Sequence, residues 1–144
     1  EVGPELDELT AASFATLCEE KKGGKIKQVL MDQSFIAGIG NIYSDEALWY
    51  AGLHPTADIA NLARSDAKKL FRALKKVVAR AQETGGDSEG DYRNLYGHAG
   101  RYQNFHKAYR QTGAACPKRG CTGVIKRITI AGRGAHFCPK HQVQ

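Results

Sequence analysis

From residue 92 to the C-terminus this sequence contains no aspartate and no glutamate. Ten Lys or Arg stand unopposed over those 53 residues, whereas residues 1–91 carry 11 basic against 15 acidic side chains. The two balances, −4 and +10, make up the net charge of +6. A segment without carboxylates repels itself unless an anion meets it, and nucleic acid is the commonest such partner. Also lacking is any run near the ~18 apolar residues of a membrane span. The opening "EVGPELDELT" has neither the basic nor the apolar region of a secretion signal. A soluble intracellular protein with no membrane partner is therefore expected. Repeats and low-complexity tracts are absent as well. Cysteine is scarce, and three of the four fall between residues 116 and 138. A chain of 144 residues makes one domain or two small ones, with a modest core.

What is present divides into a periodic part and a basic closing part. Thr10 can cap a helix over about 11–21, with Phe14, Leu17 and Cys18 on one face, ended by Gly23 and Gly24. Cys18 reads as core. A short helix over about 25–32 turns Ile26, Val29 and Leu30 inward, and a third runs from about 41 to 51 and stops at Gly52. The fourth is the most regular. Ser65 can cap it, and Ala67, Leu70, Phe71, Leu74, Val77, Val78 and Ala81 recur at the three-and-four spacing of one buried stripe, ending at Gly85 and Gly86. Lys68, Lys69, Arg72, Lys75, Lys76 and Arg80 make a solvated opposite face. The next segment, "DSEGDYRNLYGHAGRYQNF", reads as a long loop with a short helix near 101–109. "GVIKRITI" and "GAHFC" then alternate like two strands joined by "AGRG".

The closing segment also carries a donor set. Four residues separate Cys116 from Cys121, two separate Cys138 from His141, and 16 lie between the pairs. Two close pairs bridged by a hairpin-length insert build a small zinc ribbon, because tetrahedral zinc needs two ligand-bearing knuckles face to face. A disulfide is disfavoured by the intracellular setting, and unrelated thiols would not explain a hairpin between two pairs. One structural zinc ion on Cys116, Cys121, Cys138 and His141 is expected, with every ligand supplied by protein.

A second motif lies at residues 35–49, "FIAGIGNIYSDEALW". Gly38 and Gly40 let backbone approach a phosphate without obstruction, and the first amides of the following helix make an anion site. Asn41 there either caps the helix or donates to the same phosphate.

"MDQSFIAGIGNIYSDEALWYAGLHP", the basic fourth helix, "GG" and the terminal "GRGAHFCPKHQ" together resemble the C-terminal half of the formamidopyrimidine-DNA glycosylase and endonuclease VIII family. The resemblance covers nearly the whole chain, with two separate motifs in the family's order. It implies a mainly α fold, a four-helix helix–two-turn–helix domain over 10–110 followed by a small β-hairpin zinc finger over 111–144, with 1–9 as an interdomain linker. It also implies the damaged-DNA-binding part of a base-excision-repair glycosylase and AP lyase. The partner is then duplex DNA containing oxidised bases or abasic sites, and the protein a monomer, cytoplasmic and associated with the bacterial nucleoid or otherwise intracellular. By the same resemblance Asn41 is the DNA-contacting asparagine of the turn and Lys27 the lysine that reaches the DNA backbone near the lesion. Arg133 corresponds to the arginine at the tip of the zinc hairpin.

The sequence departs from that family in three places. Most members use four cysteines with two residues inside each pair, whereas here the first pair is wider and His141 closes the set. Zinc accepts imidazole and thiolate alike. "AYRQTGAAC" replaces the usual tyrosine-glycine-arginine approach to the finger. Family catalysis uses an N-terminal proline amine as Schiff-base nucleophile with a neighbouring glutamate, whereas Pro4 is internal and its nitrogen is an amide. Each lysine reads as exposed, with an ordinary pKa near 10.4 that keeps the amine protonated. The chain is therefore expected to be part of a larger repair enzyme and to be inactive by itself. A stand-alone zinc-containing DNA-binding module accounts for the same residues, whereas a ribosomal or transcriptional zinc ribbon gives no reason for "GIGNIYSDEAL".

Overall fold

The computed structural model describes residues 1–83 and 106–144. Four helices follow in order, α1 (Ala11–Glu20), α2 (Ile26–Met31), α3 (Asn41–Ala51) and α4 (Arg64–Glu83). An antiparallel hairpin of β1 (Lys126–Ile130) and β2 (Arg133–Phe137) completes the fold. The boundaries have local causes. At α1, Ser13 N donates to Thr10 Oγ1 at 3.0 Å while Thr10 N donates to Ser13 Oγ at 2.8 Å, a reciprocal cap. α3 ends at Gly52, whose φ of 73° is the left-handed conformation that closes a helix with least strain in glycine.

The Ser65 cap, and the capping alternative for Asn41, do not form. Ser65 lies inside α4, which already begins at Arg64, with Ala67 N donating to Ala63 O at 2.9 Å. The Arg64 guanidinium draws this start towards α1, donating to Glu19 Oε1 at 2.8 Å and to Ala12 O at 3.2 Å. Asn41 is the first residue of α3 rather than its cap; Gly40 takes the cap position, with no side-chain capping bond.

The stripe of α4 faces inward as its spacing requires. Ala67, Leu70, Phe71, Leu74, Val77 and Ala81 are buried and Val78 partly so, packed across α1 and α3. Phe14 sits at the centre, with its ring 6.2 Å from Phe35 and 5.6 Å from Phe71. Cys18 is buried in the same core. Burial, with a smaller contribution from the Glu19 charge, pushes its thiol from 9.0 up to about 12, so it stays protonated. Residues 3–6 lie against the turn after α2: Gly3 N donates to Gln33 O and Ala37 N to Pro4 O, both at 2.8 Å, and Leu6 is buried.

The hairpin turns through Ala131 and Gly132, both at positive φ (50° and 80°), the pairing that matches the twist of two antiparallel strands. Arg133 therefore opens β2 opposite Ile130. A second, smaller core of Trp49, Ala108, Cys116, Ile125 and Cys138 joins the hairpin region to α3. Residues 106–110 form bends and a turn rather than the end of a helix. The rest of the short helix expected at 101–109, and the preceding polar loop, lie outside the described residues. Among the described residues no helix is long and apolar enough to cross a membrane.

Candidate metal centre and nucleic-acid interface

The donor atoms of Cys116, Cys121, Cys138 and His141 lie within 4.8 Å of one another. Two thiolates on one tetrahedral zinc stand about 3.8 Å apart, given Zn–S bonds of about 2.3 Å. The Cys121 and Cys138 sulfurs are 3.7 Å apart, and Cys116 Sγ is 3.4 Å from His141 Nδ1. His141 Nε2 lies 3.0 Å from Trp49 O, a contact that requires the proton on Nε2 and leaves the Nδ1 lone pair towards the sulfurs. Trp49 Nε1 donates to Cys116 Sγ at 3.3 Å and Gly123 N to Cys121 Sγ at 3.4 Å. The Gly123 amide holds the half-buried Cys121 thiol below its ordinary value, whereas burial pushes Cys116 up. A side chain at Gly123 would put its Cβ 2.4 Å from Cys138 Sγ, so the first knuckle closes only around glycine. The four residues can hold a metal ion, and the widened Cys116–Cys121 spacing does not prevent their convergence.

The turn between α2 and α3 is organised by side chains that sequence reading passed over. Gln33 bridges it, accepting from Gly38 N at 2.9 Å and donating to Ile39 O at 3.2 Å. Asp32 accepts from Ser34 N and Oγ at 2.9 and 2.6 Å, which holds its carboxyl below the usual range. Of the two glycines only Gly38 needs positive φ, at 90°, and a Cβ on either would meet nothing within 4 Å. The turn thus presents bare backbone outward. The first amides of α3 point out of the helix without an intrahelical acceptor. The side-chain oxygen of Asn41 is buried with no hydrogen-bond partner.

Lys27 differs most from expectation. It is 1% exposed, with Nζ 2.6 Å from Asp45 Oδ1 and 3.1 Å from Asn41 O. Burial lowers its ammonium from the ordinary value; the Asp45 charge and hydrogen bond oppose that, and the Arg133 charge adds to the lowering. The reading of every lysine as exposed with an ordinary pKa is wrong here because a carboxylate 18 residues away forms a buried partner. Lys27 and Arg133 line one groove of about 500 Å³, with Lys21 and Lys25 on its rim. The three residues singled out from sequence thus gather: Lys27 bonds the backbone of Asn41 and shares a groove with Arg133.

Two acids of "SDEALW" were missed as structural anchors. Asp45 also accepts from His136 N at 3.1 Å and lies 2.8 Å from His136 Nδ1. The Glu46 carboxylate accepts from the backbone amides of Lys107, Ala108 and Tyr109 at 2.7–2.9 Å. Burial raises the Glu46 carboxyl and these three amides oppose it. Their signal was available as two adjacent acids on an otherwise apolar helix.

Residues 2–92 match the family described as the formamidopyrimidine-DNA glycosylase H2TH domain. A formamidopyrimidine-DNA glycosylase of Solibacter usitatus is 40% identical over 141 residues, which are 98% of this chain and 52% of that relative. The Lactococcus lactis Fpg solved in complex with an abasic-site-containing DNA superposes with a TM-score of 0.84 at 36% identity, covering 98% of this chain and 51% of that one. The same bacterium's Fpg with a FAPY-dG-containing DNA gives a TM-score of 0.82 at 35% identity, over 98% of this chain and 51% of that one. The chain spans about half the length of the curated relatives it matches.

Proposed function

The chain belongs to the formamidopyrimidine-DNA glycosylase H2TH domain family, and from that premise we propose that it is the DNA-gripping part of a base-excision-repair glycosylase and AP lyase acting on oxidised bases. Residues 10–110 serve as the helix–two-turn–helix domain and 111–144 as a zinc finger, with 1–9 leading to the catalytic part of the whole protein. The partner is duplex DNA carrying an oxidised base or an abasic site, met inside the cell.

The observation that carries this reading is the gathering of Lys27, Asn41 and Arg133 beside the outward amides of α3. Each group suits a phosphate. Arg133 is exposed at the start of β2 and offers a fork of N–H donors. The amides of α3 and its dipole favour an anion. Asn41 makes no capping bond; its buried side-chain oxygen is an unmet acceptor that a water could donate to, while its amide NH2 is the group able to donate to a phosphate. Lys27 has three N–H donors and spends two on Asp45 and Asn41, leaving one for a phosphate at the groove.

Zinc fits the Cys₃His set by donor chemistry and by the spacing of the sulfurs. Bound there, it supplies cross-linking rather than reactivity, since all four ligands come from protein. It holds the hairpin that carries Arg133.

These 144 residues alone should cut no glycosidic bond. Lys27, the lysine with a lowered pKa, is ion-paired to Asp45, and a protonated amine is no nucleophile. Borohydride trapping on abasic DNA should leave no adduct above that of any basic peptide; efficient trapping would make Lys27 a nucleophile. The contact assignment is tested by Arg133→Ala and Asn41→Ala, each expected to weaken binding to a duplex with a tetrahydrofuran site by about 1–2 kcal/mol while the fold persists. Wild-type affinity in both would overturn it.

A further inference from the structure

Asp45 is not among the phosphate contacts assigned above, yet two elements, α2 and β2, end on its carboxylate. It lies in the second turn of α3 and is 1% exposed. Oδ1 receives Lys27 Nζ from α2 at 2.6 Å. Oδ2 receives His136 N from β2 at 3.1 Å and lies 2.8 Å from His136 Nδ1. His136 follows Arg133 by three residues on the same strand, and its ring is held edge-on by Tyr109 at 5.3 Å.

We propose that Asp45 is a positioning residue that locks β2 to α2, so that Lys27 and Arg133 face DNA at a fixed separation. This rests on the reading of those two residues as phosphate contacts. A groove of about 500 Å³ lies between α2 and the hairpin turn and is lined by both residues. The tie between its walls is therefore made below it, through α3. Two cations on separately mobile elements would have to be ordered together on binding, a cost that a preformed arrangement avoids. A buried ion pair adds little to stability compared with apolar side chains of the same size. What the carboxylate does supply is geometry: two oxygens at a fixed angle, each committed to a different element.

The test uses the metal-loaded 144-residue chain and a duplex with a tetrahydrofuran site, read by fluorescence anisotropy. Asp45→Asn keeps the shape and one acceptor but loses an oxygen. It should weaken binding by about tenfold and flatten the log–log salt slope by about 1, with zinc content and helical circular dichroism unchanged. Lys27→Met should weaken binding too, and adding Asp45→Asn to it should cost much less than Asp45→Asn alone. A purely structural Asp45 would lower the melting temperature but leave the affinity and slope of the folded protein at wild-type values, which overturns the proposal; so would full additivity in the double variant. Should Asp45→Asn fail to fold, His136→Ala leaves the Lys27–Asp45 pair in place and frees β2. It should show the same loss of affinity and slope at full zinc content, and wild-type binding there is equally fatal. If Lys27→Met and Arg133→Ala both bind like wild type, the phosphate-contact reading has failed, and the proposal with it, by a signature distinct from a failure at Asp45.

Discussion

The helical half and the hairpin half of this chain are stabilised by different means. Residues 6–78 share one continuous apolar core, with Phe14, Ile26, Leu30, Ile36, Leu70 and Leu74 at zero exposure. The hairpin region has a cluster of five buried residues, two of them cysteines and one, Trp49, contributed by α3. The second has this smaller cluster, a donor set that can hold a metal ion, and a seat against α3. Polar links join the basic hairpin region to the helical part: His136 to Asp45, His141 to Trp49, Gln142 to Leu53.

Chelation should separate the two halves most sharply. Removing the metal should unfold residues 111–144 and abolish most DNA binding, while helical circular dichroism largely persists. Loss of the whole helical signal would mean the halves form one cooperative unit. A cut on the helical side should act in the opposite sense. Phe14→Ala should cost about 3–5 kcal/mol of global stability by leaving a cavity between Phe35 and Phe71, yet leave one metal per chain below the melting transition. Loss of metal from the folded variant would show that the hairpin's seat depends on the distant core.

A smaller effect sits where the halves meet. Trp49→Phe keeps an aromatic ring beside His141 but removes the Nε1 donor to Cys116, so metal affinity should fall by about tenfold with little change in melting. Competition against a chromophoric chelator measures this. The smallest effect belongs to Cys18, whose thiol pKa is raised from 9.0 in the unfolded chain to about 12 in the folded one. The folded state then holds the proton more tightly, so stability from this group is complete below pH 9 and is lost as pH rises towards 12. Denaturant midpoints of Cys18→Ala should fall less over that range than those of the wild type.

The donor set and the buried stripe of α4 were legible because each depends on spacing along the chain: pairs two or four residues apart, and apolar positions three and four apart. The environment of Lys27 was not, since its partner Asp45 stands 18 residues away on a helix whose other buried positions are mostly apolar. Glu46 is harder still, reaching backbone amides 61–63 residues on. Ser65 does not cap α4 because the helix already begins at Arg64, whose guanidinium bonds Glu19 and Ala12 O on α1, contacts 45 and 52 residues back in the chain.

The most direct test of a DNA-gripping surface is the salt dependence of duplex binding by the 144-residue chain. Contacts with about four to six phosphates should give a log–log slope of roughly −3 to −6, falling by about 1 in Arg133→Ala. A slope near zero, or one untouched by Arg133→Ala, would contradict the assignment of this face to the DNA backbone.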